Sequence, residues 1–323
     1  MNHYENRILI KTKKMNVKQF FIWTGRTFLL LVLFLILFVI GSMAVSGMLP
    51  NIESEPGPVA KDAGFLIFGI LNTLLIIAMI LSSRWYGWKL TLALAAAYYG
   101  AVTFLPQIET WYFLSEVTVT AEILQGLFIM GLPIAFIFIP LAVLILGKRK
   151  AKETVDTAAT ARIPAKQLLL KVITIALVYI VLYWGAGYFI AWQNPDLRVF
   201  YGSPGAILSF WEQTANTFSD SGLFPFQFLR GLLWTLCAIP IVYGSKLSTW
   251  STAVLLGLFF TIPQVLGLIL ENPLMPSASV RLSHLFEGIA SNFTFGLIIV
   301  WLLHREHTSF QDLFGINAIT HPS

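Results

Sequence analysis

The sequence predicts an all-α protein: a polytopic integral membrane helical bundle of about eight transmembrane helices, with both termini on the cytoplasmic side. Three observations carry that expectation. The chain has 323 residues, of which 57% are hydrophobic and only 11% charged, against about 25% charged in an ordinary soluble domain. With a mean hydropathy of +0.76, it has too little polar surface to cover a water-soluble particle. Next, several runs of about 18 or more residues are almost free of charge, the length that crosses a hydrocarbon layer about 30 Å thick; a β-barrel would need short alternating segments instead. Last, the lysines and arginines cluster in a few short connections between the runs, the pattern of a topology signal. That placement also argues against a nucleic-acid partner, despite a net charge of +5.

The elements follow in order. Residues 1–19 form a basic cytoplasmic segment with Arg7, Lys11, Lys13, Lys14 and Lys18. The first span runs from Phe20 to about Ala44, broken by Arg26. A cleaved signal is the competing reading, because Ala44-Val45-Ser46 resembles a cleavage site, but the run is long for a signal core and a retained span is expected. Pro50 to Asp62 reads as an outer loop, and the second span as Ala63 to Leu81. The aromatic turn from Ser82 to Lys89 suits the water–lipid boundary. The third span is expected from Leu90 to Phe104, ended by Pro106. Pro106 to Glu122, acidic and aromatic without Lys or Arg, reads as an outer loop. The fourth span, Ile123 to Leu146, contains Pro133 and Pro140, each of which removes a backbone hydrogen bond and bends the helix.

Residues 147–167 form a basic cytoplasmic linker between a first half, 20–146, and a second half, 168–303, of about four spans each. Its charges should attract anionic lipid. No sequence repeat relates the halves; both begin on the same side, so any repeat would be parallel. The fifth span is Leu168 to Trp192, and Gln193 to Gly222 is a long outer loop with an apolar middle, Ala206 to Trp211, that lies along the interface or re-enters. The sixth span is Leu223 to Val242, the seventh Thr249 to Leu270 with Pro263 and Gln264, and the eighth Ser279 to Leu303. Residues 304–323 form a cytoplasmic tail. The setting this implies is a bacterial cytoplasmic membrane.

The stretch from Glu271 to Trp301 concentrates the unusual chemistry. A proline-broken loop becomes an apolar helix whose early turns carry Arg281, His284, Glu287 and Asn292. At about 100° per residue, Arg281, Gly288 and Asn292 share a face, with His284 at its edge and Glu287 beside it. On the sixth span Gln227 and Arg230 are neighbours at i and i+3. Glu122 opens the fourth span at the same depth, as does Gln125, and Gln264 on the seventh lies near it. Ionisable groups inside a bilayer cost about 2.5–3.5 kcal/mol each at the centre and therefore face protein or water with partners. The expected pair is Arg230 with Glu287, joined by Arg281 and Glu122. The candidate ligand-binding set is thus Arg230, Arg281, His284, Glu287, Asn292, Glu122 and Gln227. Against it stands a purely structural reading, in which Arg281 snorkels to the head groups and the charge pair only locks two helices.

Enzyme signatures are weak. HExxH and GxSxG are absent, no Walker loop is present, and Tyr201-Gly202-Ser203-Pro204-Gly205 reads as a turn. His284 with Glu287 could form a general-base pair at i and i+3, but no nucleophile stands out beyond Ser283 and Ser291, which read as ordinary helix-packing residues. His304 and His307 read as a basic tail, and the single cysteine, Cys237, as a buried apolar residue. No cofactor or metal is implied. Three functional classes remain: a transporter or binder of a small molecule or ion entering from the outer side, a non-transporting scaffold or partner of another complex, and a membrane enzyme acting on lipid at the outer face. The bilayer is the one certain partner.

Overall fold

A computed structural model of the chain describes residues 16–114, 119–150 and 163–314. Most of the basic N-terminal segment, Glu116 in the acidic connection, Lys152 to Arg162 of the linker and the end of the C-terminal tail lie outside the described residues. Eight helices are long and apolar enough to cross a membrane, and no strand is present among the described residues.

The first two spans are α1 (Val17–Ser46) and α2 (Lys61–Ser82). The third, Gly87–Leu114, is α3 (Gly87–Tyr99), a π-turn over Gly100–Phe104, and α4 (Leu105–Leu114). The fourth, Ala121–Ile145, is α5 (Ala121–Met130), a π-turn over Ile134–Phe138, and α6 (Ile139–Ile145). The fifth is α7 (Ala165–Phe189) with a 3-10 turn to Gln193. Two short helices, α8 (Pro195–Phe200) and α9 (Phe210–Thr217), form the long connection. The sixth span is α10 (Leu223–Gly244), the seventh α11 (Thr249–Val265) with a 3-10 turn to Ile269, and the eighth α12 (Ala278–Leu303); α13 (Phe310–Leu313) follows.

Span edges match the sequence expectation within a few residues, with one correction. The third span does not stop at Phe104: its helix runs on through Pro106 to Leu114. A proline ring clashes with the carbonyl four residues back. The π-turn relieves this by widening the helix, so that the Leu105 amide donates to Gly100 O, five residues back. The second π-turn ends in the same way before Pro140, with the Ile139 amide donating to Ile134 O. Widening leaves Ala101 O without its usual donor, and Pro106 has no N–H to offer. The Gln264 side-chain amide on α11 takes that place.

The helices pack in a pattern that occurs twice. The first span lies against the fourth and the fifth against the eighth; the second lies against the seventh and the sixth against the third. At the end that carries most of the lysines and arginines (the basic end), the two inter-span turns meet as an antiparallel bridge between Ser83 and Ser245. Arg84 N donates to Gly244 O at 2.7 Å and Lys246 N to Ser82 O at 2.9 Å. The opposite end holds the 51–60, 194–222 and 270–277 connections and is the long-loop end. α11 and α12 approach closely. A Cβ on Gly296 would sit 2.6 Å from the Gly257 backbone, so the helices touch main chain to main chain, as small residues permit in membranes.

Beyond α12 the chain folds back as a strap. Gln167 Nε2 donates to His307 O at 2.5 Å while His307 N donates to Gln167 Oε1 at 3.1 Å. Lys171 Nζ donates to Arg305 O at 2.7 Å and lies 2.8 Å from His307 Nδ1. A lysine facing that nitrogen requires a neutral imidazole. Burial, then Lys171, hold His307 below its ordinary value of 6.5.

Two outcomes are expected. Gly296→Leu forces backbones apart and should lower stability by about 1–3 kcal/mol, read as a lower Tm in detergent. The strap should hold fully above pH 6.5 and loosen as the pH falls below it, because the released imidazole binds its proton more tightly than the docked one. Hydrogen exchange of the 305–313 amides, compared at about pH 8 and about pH 5.5, checks this, and His307→Gln should flatten the dependence.

Candidate functional site

Arg230 sits near the long-loop end of α10 and is 2% exposed. Its guanidinium forks onto Glu109 of α4: Nη1 donates to Oε1 at 2.7 Å and Nη2 to Oε2 at 2.5 Å. Nη1 also donates to Gln227 Oε1 at 2.9 Å, one turn earlier on the same helix. The cation lies 5.6 Å from the ring of Tyr179, 6.0 Å from Tyr183 and 5.8 Å from Phe226. Aromatic faces of this kind stabilise a desolvated cation. Two buried donors here have no partner among the described residues, Arg230 Nε and Gln227 Nε2.

A second group stands on α12. His284 Nδ1 lies 2.8 Å from Glu287 Oε2, and His284 Nε2 lies 3.1 Å from the Tyr201 hydroxyl. Glu287 packs against α7 at Gly187, where a Cβ would meet its Oε1 at 3.4 Å. Tyr201 is positioned by the short helix before it. Asn194 caps α8 through a bond from Asp196 N. Its amide also donates to Ser279 O, Ser279 Oγ and Ser283 Oγ at 3.1, 2.8 and 2.8 Å, tying α8 to the first turns of α12. Both groups act on one phenol: burial raises Tyr201 above its ordinary range, and the carboxylates of Glu109 and Glu287 both add to that rise.

A chain of ring contacts leads on from Tyr179. Tyr179 lies tilted against Phe295 at 5.1 Å, Phe295 stacks toward Phe260 at 6.2 Å, and Phe260 meets Trp234 edge-on at 4.6 Å. A separate cleft of about 300 Å³ opens between residues 56–61 and 269–271, with the Lys61–Glu271 pair (3.3 Å) among its lining residues.

Of the predicted set, Arg230, Gln227, His284 and Glu287 lie in this cluster. The expected Arg230–Glu287 pair does not form, because each residue has a nearer partner: Glu109 for the arginine and His284 for the carboxylate. Arg281 is corrected to a different role. It is 1% exposed and donates to Met275 O, Pro276 O and Glu55 O at 2.9, 2.7 and 2.6 Å, so its several donors gather loop carbonyls instead of joining carboxylates. Glu122 is exposed in the first turn of α5, where a carboxylate suits the helix dipole, and forms no ion pair among the described residues. Asn292 is half-buried beside Gly288, packed and not hydrogen-bonded among the described residues. The sequence reading missed Glu109 and Tyr201. A helix carried through Pro106 would have placed Glu109 one turn below Leu105; nothing local in the Tyr201 turn marks its partner.

No group of three His, Cys, Asp or Glu among the described residues could hold a metal ion. No protein-family model, curated protein or solved structure matches the chain.

Breaking a buried pair by removing one member costs about 3–5 kcal/mol, while replacing both with apolar groups is often near neutral. Glu109→Leu, which leaves the buried Arg230 uncompensated, should therefore lower the Tm sharply, and the Arg230→Met/Glu109→Leu double variant should recover much of the loss. Equal losses in the single and double variants would show that the fork contributes little.

Proposed function

We propose that the protein binds a small solute or ion at the Glu109–Arg230–His284–Glu287 cluster, entering from the long-loop end, and that the site belongs to a transporter or a receptor-like binder. The observation that carries this reading is convergence. Two carboxylates from different helices, one held by Arg230 and one by His284, both act electrostatically on one tyrosine, whose hydroxyl touches His284. A structural lock needs one pair. Here two ionisable groups are kept side by side within spans, where each is costly, and two buried donors remain unspent. Positive charge favours the cytoplasmic side, so the basic end is read as cytoplasmic, with both termini there in a bacterial cytoplasmic membrane, and the cluster faces outward.

The second reading is a binder or complex partner that does not transport. The chain of rings Tyr179, Phe295, Phe260 and Trp234 favours it, since a solute would meet those rings on its way to the basic half. A lipid-modifying enzyme has less support, since the hydroxyl that adjoins the His284–Glu287 pair is the Tyr201 phenol, which burial makes harder to ionise.

The test is a thermal-shift panel of inorganic cations, amines and carboxylates on the detergent-purified protein. A specific solute should raise the Tm of the wild type and lose that effect in Glu109→Gln and Glu287→Gln, while Glu122→Gln keeps it. Proteoliposome uptake of that solute then separates transport from binding. Absence of any such solute would leave the cluster as a structural clasp.

A further inference from the structure

We propose that the cluster is a proton-binding site, with the His284 imidazole as the acceptor and Glu287 and Tyr201 as its positioning residues. The inference deepens the binding reading above and rests on it for the idea that the cluster is functional. The geometry is specific about protons. A neutral imidazole has one donor and one acceptor nitrogen. A carboxylate accepts only, so Glu287 at 2.8 Å fixes the hydrogen on Nδ1. Nε2 is then the acceptor, and the Tyr201 hydroxyl at 3.1 Å donates to it.

Uptake of one proton at Nε2 breaks none of these contacts. The new Nε2–H donates to the Tyr201 oxygen, and the hydroxyl hydrogen rotates off the line between the two groups. Nδ1–H continues to donate to Glu287, now as a charge-assisted bond, which is the stronger kind. No atom other than the proton is gained, and the hydrogen bond between the two groups is kept with its direction reversed.

The charge count points the same way. With His284 neutral, the cluster holds two carboxylates, Glu109 and Glu287, and one guanidinium, Arg230. One proton brings it to zero, which suits a low-dielectric place. Every element around the ring is consistent with this. α7 contributes Tyr179 and Tyr183, which carry no charge. α8 and the residue after it contribute Tyr201, with Asp196 exposed and Arg198 turned to the carbonyls of Trp192, Gln193 and Gly205. α10 contributes Arg230, already forked onto Glu109. The seventh span, from Thr249 to Ile269, has no ionisable residue. The charged groups that act on the imidazole are two carboxylates, Glu287 and Glu109.

The experiment is nitrogen NMR on the full chain in nanodiscs with ¹⁵N-labelled histidine, titrated from about pH 8.5 to about pH 5. His284→Gln identifies the signal. At high pH the ring should show the Nδ1–H tautomer, and it should become doubly protonated within this range. Glu287→Gln should demand at least about tenfold more acid for the same protonation, as expected for removal of a carboxylate in contact. Tyr201→Phe should keep the titration but weaken the tautomer preference. Glu109→Gln, more distant, gives a smaller change and serves as the second variant if Glu287→Gln does not fold. A ring that stays neutral to pH 5, or one indifferent to both carboxylates, overturns the proposal. The outcomes are separable from the solute test: a titrating His284 without any solute leaves the proton site standing and removes the solute reading, whereas a solute bound at a non-titrating cluster does the reverse.

Discussion

A guanidinium that cannot reach water sets the terms for the long-loop half of this bundle. Arg230 keeps its proton at any ordinary pH, so protein must surround it with acceptors and ring faces. Four spans supply them. The third brings Glu109, the fifth Tyr179 and Tyr183, the sixth Gln227 and Phe226, and the eighth closes the space with Phe295 and the His284–Glu287 pair. Each of those helices must arrive at a set depth and rotation, and the choice of small residues follows. Gly231, one residue on from Arg230, meets the α7 backbone at Ala176, where a Cβ would lie 2.8 Å from Cα. The charge is thus placed by an approach of main chains, and the approach is tolerable because the charge on it is satisfied.

The same constraint explains the irregular helices. A carbonyl exposed inside a bilayer costs several kcal/mol, yet a span with an internal proline inevitably frees one. At Ala101 the freed oxygen is met by Gln264 from another helix, so a local defect becomes a tie between the third and seventh spans. The defect also carries Glu109 to its partner: without the widened turn, a proline at 106 would end the helix where the sequence suggests it should.

How much of this could be read beforehand follows from the range of each force. Eight spans and most of their edges were legible, because hydrophobic length and charge placement are local properties written into every segment. Four cluster residues were legible for the same reason, since an arginine or glutamate in an apolar run is conspicuous by itself. Pairing was not. Whether Arg230 meets Glu287 or Glu109 depends on helix rotation and on a π-turn, which no local pattern announces, and Glu109 was hidden by a proline that normally marks a boundary. Arg281 shows the converse. It stands out in sequence as strongly as Arg230, but its role depends on Glu55, more than two hundred residues earlier, to whose carbonyl it donates.

The small antiparallel bridge at Ser83 and Ser245 has a mechanical meaning. It joins the tight turns of the two halves by mutual backbone bonds on one side of the bundle, while at the opposite side the connections are long and the halves share one backbone bond, Glu55 N to Pro276 O at 3.0 Å, beside several side-chain bonds. A body pinned in this way has a fulcrum. If the halves rock, the displacement is least beside the serines and grows along the spans toward the far end, so an angle of a few degrees is converted there into ångströms of separation between α4 and α12.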